Sequence, residues 1–218
     1  MSKRVGLVHA TLNSVQPMTE AFRQYAPTMQ ALNFLDEGLI TELNAAGKVT
    51  RPLIRRFIRL VEKAEEAGVH GVLLSCSSFT PYTSLVSQLF DFPIVSVDFA
   101  MLEEAVQTGT KIGVIATVVT AAPITKQILE EIAEEKNKPV EIYTETLTDA
   151  FSALQNGEEQ HHNQIIRSKV EEMSRNCDVV VLAQISMARA MEGYTPPGKP
   201  VLTSPESSIR SLLGQLAD

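Results

Sequence analysis

The sequence predicts an α/β protein of two similar lobes, each with a parallel sheet flanked by helices. Short apolar runs alternate with longer amphipathic patterns, and this alternation is typical of parallel sheets. Three segments of the first half also recur in the second half at a nearly constant spacing. We therefore expect two copies of one motif, related by a pseudo-two-fold axis, with the active site in the cleft between them.

Seven runs are predicted to be strands, because each is short and apolar throughout rather than alternating. They span residues 5–8, 71–74, 93–97, 112–115, 140–143, 179–182 and 200–202. Strands without alternation are buried on both faces, as in a parallel sheet that helices cover on both sides.

The clearest helix is predicted over residues 51–67. Its apolar residues recur at helical spacing, Thr50 is placed to cap its N-terminus, and Gly68 follows as a stop. Two further helical patterns cover residues 125–136 and 162–175. These helices separate the predicted strands, as a parallel fold requires.

The internal repeat is seen in pairs of matched residues. The matched residues lie 107 positions apart in the pair Gly6 and Gly113, 108 in the pair Cys76 and Gln184, and 107 in the pair Pro93 and Pro200. A spacing this constant over three segments predicts a first lobe of residues 1–98 plus 203–218 and a second lobe of residues 99–202.

Composition narrows the function classes. The 218-residue chain has a formal net charge of -7, and its Lys and Arg residues are scattered apart from Arg51, Arg55, Arg56 and Arg59 along one helix, so no nucleic-acid partner is expected. Two cysteines are too few for a disulfide framework. No apolar run approaches the roughly 20 residues of a membrane helix, and the run after Met1 is too short for a signal peptide. We therefore expect a soluble cytoplasmic protein with no membrane partner.

Cys76 is the leading candidate for chemistry, because it stands where the predicted strand 71–74 ends. The surrounding hydroxyl residues are Ser75, Ser77, Ser78 and Thr80. A helix expected to begin near Pro81 would bring N-terminal amides close to the thiol. Such a setting lowers a thiol pKa from about 8.5, and the same amides and hydroxyls suit a substrate carboxylate. The alternative is a small buried side chain that caps a strand. Cys177, which precedes a strand, is interpreted as structural.

Polar residues also follow other predicted strands. Asn13 lies in the loop after the first strand, and Thr117 follows the strand 112–115. Both suit carboxylate recognition, although turn and cap roles are equally typical of these residue types. Gln184, the counterpart of Cys76, can donate and accept hydrogen bonds but cannot act as a base, and it is alternatively a simple polar strand end.

The histidines do not predict a metal site. His161 and His162 are adjacent, so on a helix they point about 100° apart, and we interpret them as surface residues. His9 ends the first strand and is either a core or a cleft residue. The sequence has no Gly-rich phosphate loop and no CxxC, HExxH or GxSxG motif. We therefore expect neither a metal nor a cofactor.

Five segments carry a resemblance to a known family: GLVHATLNSVQPM, VLLSCSSFTP, VDFAMLEEAV, IGVIAT and VVVLAQISMARA. With them the chain resembles the aspartate/glutamate/hydantoin racemase superfamily over essentially its whole length. The resemblance implies two α/β lobes, an active site between them and no cofactor. The resemblance also implies an arrangement of catalytic residues. In the racemases of this superfamily, one cysteine from each lobe flanks the substrate α-carbon, and the two cysteines lie on opposite faces of it.

The resemblance also implies roles for single residues. Cys76 falls on the first catalytic cysteine, and Ser77 and Ser78 follow it as carboxylate ligands. Asn13 falls in the N-terminal substrate loop, and Thr117 in the second-lobe loop.

The second cysteine position falls on Gln184, where the pattern changes. Ile185 and Ser186 follow it, in place of the polar residue and histidine of glutamate racemases. Ser75 and Ser186 complete the predicted substrate-binding set.

Three functions remain open on this reading. The first is a cofactor-independent racemase or isomerase acting on a small carboxylate or amino-acid-like substrate through Cys76. The second is a one-cysteine decarboxylase or lyase of the same superfamily. The third is a catalytically silent carboxylate-binding protein. A homo-oligomer fits the family.

Overall fold

The computed structural model describes residues 3–196 and 198–217, which form two units. The first unit comprises Met1–Val97 with Pro205–Asp218, and the second comprises Asp98–Ser204.

The first unit is built on a four-stranded parallel sheet. Strands β1 to β4 span Arg4–His9, Gln30–Leu35, Gly71–Leu74 and Ile94–Ser96. Their spatial order is β2-β1-β3-β4. Val8 of β1 pairs with Phe34 of β2 and with Leu74 of β3. The carboxyl ends of these strands therefore lie side by side, and the loops that follow them leave the same edge of the sheet.

The second unit repeats this sheet. Strands β5 to β8 span Lys111–Ala116, Glu141–Thr146, Val179–Leu182 and Val201–Thr203. Their spatial order is β6-β5-β7-β8, and Ile115 of β5 pairs with Leu182 of β7 as Val8 pairs with Leu74. The predicted fold class, two similar α/β lobes with parallel sheets flanked by helices, is confirmed.

All seven predicted strands are present, but the sequence reading missed β2. In this strand Gln30 and Asn33 interrupt the apolar residues, because β2 is an edge strand whose side chains are only partly buried. The internal repeat contained the missing signal. The predicted strand 140–143 has its counterpart about 107 residues earlier, close to β2.

Helices separate the strands. Helices α1 to α9 span Val15–Tyr25, Gly38–Ala46, Arg51–Glu66, Thr83–Ser87, Phe99–Thr108, Ala121–Glu135, Thr148–Gln155, Glu159–Met173 and Ser204–Ala217. Three 3-10 helices lie at Leu12–Ser14, Ser77–Tyr82 and Ile185–Met191. No helix in the described ranges is long and apolar enough to cross a membrane.

Helix α3 shows how the sequence specifies these elements. Thr50 caps it by accepting a hydrogen bond from Leu53 N at 3.5 Å, and Gly68 follows it with a φ of 69°. A Cβ on Gly6 would lie 2.9 Å from Ala64 Cβ. Glycine in β1 therefore lets α3 lie directly on the sheet. By contrast, α6 and α8 begin four and three residues before their predicted starts.

The two units exchange the helices that follow their last strands. Helix α5 follows β4 of the first unit but belongs to the second, where it contacts β7 and α6. Helix α9 follows β8 of the second unit but belongs to the first. There Leu212 and Leu216 pack so closely on Gly71 that a Cβ would lie 3.2 and 3.1 Å from their methyl groups. Each core is thus completed by a helix from the other half of the sequence.

Candidate active site

Buried polar side chains gather at the carboxyl ends of the strands in the first unit. They are His9, Ser14, Ser75, Ser77, Ser78, Thr80 and Ser96. Buried polar groups are costly unless they are hydrogen-bonded, so such a concentration marks this sheet edge as the candidate site.

Cys76 lies among these residues in the sequence, two positions after the end of β3, as a half-buried thiol that forms no disulfide. Its backbone is extended, and it is the N-cap residue of the 3-10 helix Ser77–Tyr82. Its carbonyl oxygen accepts a hydrogen bond from Phe79 N at 2.9 Å. The helix expected near Pro81 therefore begins four residues earlier, and the backbone N–H groups of Ser77 and Ser78 stand at its N-terminus.

The position of this 3-10 helix is fixed by aromatic packing. Phe79 is fully buried and stacks on Phe57 of α3, with ring centroids 4.2 Å apart. Sequence reasoning missed this contact, because it joins residues from separate elements. Phe79 is therefore a positioning residue for the Cys76 loop, residues 75–80.

Ser75 also lies where a substrate-binding residue was predicted. Its side chain is 4% exposed, and its Oγ has no hydrogen-bond partner among the described residues. An unpaired buried hydroxyl costs about 1–3 kcal/mol. This cost is compatible with a group that binds a ligand, so Ser75 stays a predicted substrate-binding residue.

The loop after β1 carries Asn13, within the 3-10 helix Leu12–Ser14. His9, the last residue of β1, stabilises this loop. Its Nδ1 lies 2.8 Å from Ser14 Oγ, and its Nε2 lies 3.0 Å from Asn33 Oδ1. Ser14 Oγ also lies 2.8 Å from Thr11 O. His9 is therefore a core residue with both ring nitrogens engaged.

Burial sets the charge of His9. Desolvation lowers its pKa to about 4, against a smaller opposing effect of the hydrogen bond with Asn33. The ring is neutral near pH 7, which suits a structural support of the loop.

The second unit brings together two predicted site residues, Thr117 and Gln184. Gln184 Oε1 accepts hydrogen bonds from Thr117 N at 2.5 Å, Thr117 Oγ1 at 3.0 Å and Val118 N at 3.3 Å. We call these three groups the donor cluster. Thr117 is only 2% exposed, whereas Gln184 is half-buried.

Gln184 and Cys76 occupy equivalent backbone positions. Gln184 is extended and is the N-cap residue of the 3-10 helix Ile185–Met191, and its carbonyl oxygen accepts from Met187 N at 3.1 Å. The residue before each of them donates a backbone hydrogen bond to the central strand of its sheet. Ser75 N donates to Val8 O at 2.8 Å, and Ala183 N donates to Ile115 O at 2.9 Å. The two halves thus present a thiol and a carboxamide from the same place in one motif.

Arg167 supports the helix that carries Gln184. Its guanidinium donates to Ala190 O at 2.6 Å and to Glu192 O at 3.1 Å, at the C-terminal end of that 3-10 helix. Ser186 is buried within the same helix, at 8% exposure. Sequence reasoning missed Arg167, because its partners are backbone atoms more than 20 residues away.

The interpretation of His162 as a surface residue was wrong. His162 is fully buried in α8, where its Nδ1 lies 2.9 Å from Ala150 O, whereas His161 is exposed. Desolvation lowers the pKa of His162, so its ring is neutral near pH 7. Within residues 3–196 and 198–217, no group of three His, Cys, Asp or Glu side chains could hold a metal ion.

Cys177 is more deeply buried than Cys76. It is 3% exposed, and its Sγ would lie 3.1 Å from a Cβ on Gly113. Burial, with a smaller effect of Asp178, raises the pKa of its thiol. A groove of about 600 Å³ lies beside it, but its lining includes neither Thr117 nor Gln184.

Comparison with known proteins places the chain in a family. A glutamate racemase of Trichodesmium erythraeum (strain IMS101) is 28% identical over 121 residues, which are 55% of this chain and 43% of that relative. The match therefore spans less than half the length of the relative.

Solved structures share the fold. An aspartate racemase homologue from Pyrococcus horikoshii OT3 superposes with a TM-score of 0.72 at 17% identity, covering 100% of both chains. The Picrophilus torridus aspartate racemase superposes with a TM-score of 0.79 at 10% identity, covering 99% of this chain and 95% of that one. The profile of the family described as Asp/Glu/Hydantoin racemase matches residues 9–212. The chain therefore belongs to the Asp/Glu/hydantoin racemase family.

Proposed function

We propose that this protein is a cofactor-independent enzyme that moves a proton on the carbon beside a carboxylate or carbonyl group, with Cys76 as the proton-transfer residue. The observation that carries the proposal is the position of Cys76. The thiol is half-buried just after the end of β3, its residue is the N-cap position of a 3-10 helix, and buried serines flank it in the sequence. Relatives named glutamate racemase and aspartate racemase act on substrates of this kind.

The internal repeat supports a stabilised thiolate. In the second unit, the N–H groups of Thr117 and Val118 donate to the side chain at the position equivalent to Cys76. The corresponding residues of the first unit are Ala10 and Thr11, which follow β1 as Thr117 and Val118 follow β5. N–H groups aimed at the sulfur would favour its ionised form.

Ser77, Ser78 and Asn13 are proposed to bind the substrate carboxylate. Ser77 and Ser78 open the 3-10 helix after Cys76, and Asn13 lies in the loop after the neighbouring strand β1. Hydroxyl, amide and backbone N–H groups are suitable donors to a carboxylate and to a planar enolate-like intermediate.

Gln184 stands at the sequence position of the family's second cysteine, so this chain offers one titratable cysteine at these two positions where the racemases offer two. Racemisation with a proton exchanged on each face needs two titratable groups, and a carboxamide does not titrate. The Cys76 thiolate would take the α-proton and become a thiol, and a carbanion stabilised as an enolate would form. The thiol would exchange its proton with solvent and return one to the same face. We therefore expect proton exchange with retention of configuration.

Proton exchange in deuterated water tests the proposal. L-Aspartate, L-glutamate and hydantoins are incubated with the protein, and the α-proton signal is followed by NMR together with chiral chromatography. We expect one of these substrate classes to lose its α-proton signal without forming the enantiomer. Cys76→Ala should slow the exchange by about 10²–10⁴-fold, the usual contribution of a general acid-base group. Cys177→Ala is the matched control and should exchange normally.

Three outcomes would contradict the proposal. Full exchange by the Cys76→Ala variant would place the chemistry on another residue. Efficient racemisation by the native protein would mean that a second acid-base group exists. Binding of a carboxylate without any exchange would instead favour the silent binding protein.

A further inference from the structure

The exposed face of α3 carries a row of three arginines, Arg51, Arg55 and Arg59, which we call the arginine stripe. Residues four apart lie on one face of a helix and are separated by a rise of about 6 Å, so the stripe is about 12 Å long. Across the part of the chain that the structure describes, none of the three side chains has a hydrogen bond or an ion pair. The stripe therefore carries positive charge that no neighbouring carboxylate compensates.

Helix α3 begins at the sheet edge that carries the candidate site. In its second turn, Arg56 donates to Asp36 Oδ1 at 2.6 Å, and Asp36 directly follows the last residue of β2. After its last turn, Ala67 O accepts from Arg4 Nη1 at 3.3 Å, and Arg4 is the first residue of β1. The helix therefore runs antiparallel to the strands, and the start of the stripe lies at their carboxyl ends.

The same helix also contacts the Cys76 loop. Phe57, which lies between Arg55 and Arg59 in the sequence, is buried and stacks on Phe79 of that loop. The arginines lie on the exposed face of the helix, whereas Phe57 lies on its buried face. Because a helix is about 10–12 Å across, the stripe acts on a ligand of this loop through its electric field and not through contact.

The charges of α3 are arranged against the preference of the helix. Its macrodipole favours acidic residues near the N-terminus and basic residues near the C-terminus. Here Arg51 and Arg55 lie in the first two turns, whereas Glu62, Glu65 and Glu66 lie in the last two, beside a single lysine. Like charges four residues apart also repel each other. The stripe therefore does not stabilise α3, and its position needs another explanation.

We propose that the arginine stripe steers anionic substrates to the Cys76 loop. The inference rests on the proposed function, because it assumes that the substrate of Cys76 carries a carboxylate. The chain as a whole has a formal net charge of -7 and would repel such a substrate, so a local region of positive charge raises the rate of encounter. The field of exposed charges reaches about 30 Å at an ionic strength of about 0.01 M and about 8 Å at about 0.15 M. Steering is thus a property of the association rate that weakens as salt is added.

Two reagents that alkylate the same thiolate test this inference without knowledge of the substrate. In both reactions the sulfur of Cys76 bonds to the methylene carbon and iodide leaves, but iodoacetate is an anion whereas iodoacetamide is neutral. The ratio of their rate constants cancels the thiolate fraction and the accessibility of the thiol, so it reports the effect of reagent charge. Mass spectrometry measures the labelling of Cys76 at neutral pH and at ionic strengths from about 0.01 M to about 1 M.

The variant with Arg51→Gln, Arg55→Gln and Arg59→Gln removes the charge of the stripe. At low ionic strength, we expect the ratio of iodoacetate to iodoacetamide rate constants to fall at least about threefold relative to the native protein. At about 1 M salt, where fields reach only about 3 Å, the native protein and the variant should give the same ratio.

The matched control carries Arg23→Gln, Lys111→Gln and Arg175→Gln, which remove the same total charge from exposed positions. These residues lie in the last turn of α1, at the start of β5 and just after α8, away from the carboxyl ends of the strands. The control should therefore keep a ratio close to that of the native protein.

A ratio that responds neither to the stripe nor to salt would overturn the inference. An equal fall in the control variant would also overturn it, since it would show an effect of total charge alone. In both cases a Cys76 that reacts with iodoacetamide leaves the proposed function standing. If Cys76 reacts with neither reagent, the proposed function is wrong, and the inference fails with it.

Discussion

His9 shows at the scale of one residue how a catalytic-looking side chain can have a structural role. It ends β1, the strand next to β3, where the sequence left open either a core or a cleft residue. It is fully buried between Ser14 and Asn33, with both nitrogens engaged. Its contribution is to hold the loop that carries Asn13.

The lowered pKa of His9 predicts a specific dependence of stability on pH. Because the unfolded chain binds a proton near pH 6.5 and the folded protein only near pH 4, acid favours the unfolded state. The stabilisation is complete above pH 6.5 and is lost as the pH falls towards 4. The native protein should lose on the order of 3 kcal/mol in this window relative to His9→Gln, which does not titrate. Urea unfolding of both proteins across the window measures this difference, and parallel curves would contradict it.

A second prediction at the scale of the residue concerns the variant Gln184→Cys. It introduces a second titratable group at the position equivalent to Cys76. Because the cysteine side chain is shorter, the donor cluster loses the amide oxygen as its acceptor and becomes available to a substrate oxygen. We expect the variant to form the enantiomer of a substrate that the native protein only exchanges, because two-face proton transfer then becomes available. Chiral chromatography of the products measures it. Equal racemisation by native protein and variant would contradict the prediction.

At the scale of elements, each unit contains a helix that follows the last strand of the other unit: α5 belongs to the second unit and α9 to the first. Leu212 of α9 and Leu102 of α5 are both fully buried, but they belong to different units. Each substitution by alanine should cost about 2–5 kcal/mol, the usual range for a buried leucine.

Hydrogen exchange locates these two losses. Leu212→Ala should speed amide exchange in β3, because α9 packs on Gly71, whereas Leu102→Ala should speed exchange in β7, which α5 contacts. The two variants serve as controls for each other. Identical exchange patterns in the two variants would show that neither helix specifically stabilises the unit to which it is assigned.

The elements also show what a sequence can predict. Buried strands such as β3 and β7 were found because they are apolar throughout, and α3 because its caps and periodicity agree. The edge strand β2 was missed because partial exposure mixes polar residues into it. The burial of His162 was missed because a histidine carries no signal of the packing around it.

The candidate site was predictable only in part, for a related reason. Cys76, Thr117 and Gln184 stand at strand ends, which local patterns reveal. The hydrogen bonds that orient Gln184 and the stacking of Phe57 on Phe79 join residues far apart in sequence. Such contacts depend on the tertiary structure, and no spacing along the chain predicts them.

At the scale of the whole molecule, one motif occurs twice with different chemistry at its tip. The sheets share their strand order and register, and Cys76 and Gln184 have equivalent backbone positions. At this position the first unit carries a thiol, and the second carries a carboxamide whose oxygen accepts three hydrogen bonds. The duplication thus supplies two copies of one scaffold, of which the first is proposed to carry the reacting group.

The relative reactivity of the two thiols tests the central claim most directly, since it needs no knowledge of the substrate. The folded protein is treated with limiting iodoacetamide over a range of pH, and the labelling of Cys76 and Cys177 is measured by mass spectrometry. We predict that Cys76 is labelled first at neutral pH, because Cys177 is buried and its pKa is raised. Faster labelling of Cys177, or labelling of Cys76 only above its ordinary pKa of about 8.5, would contradict the assignment of Cys76 as the reactive group.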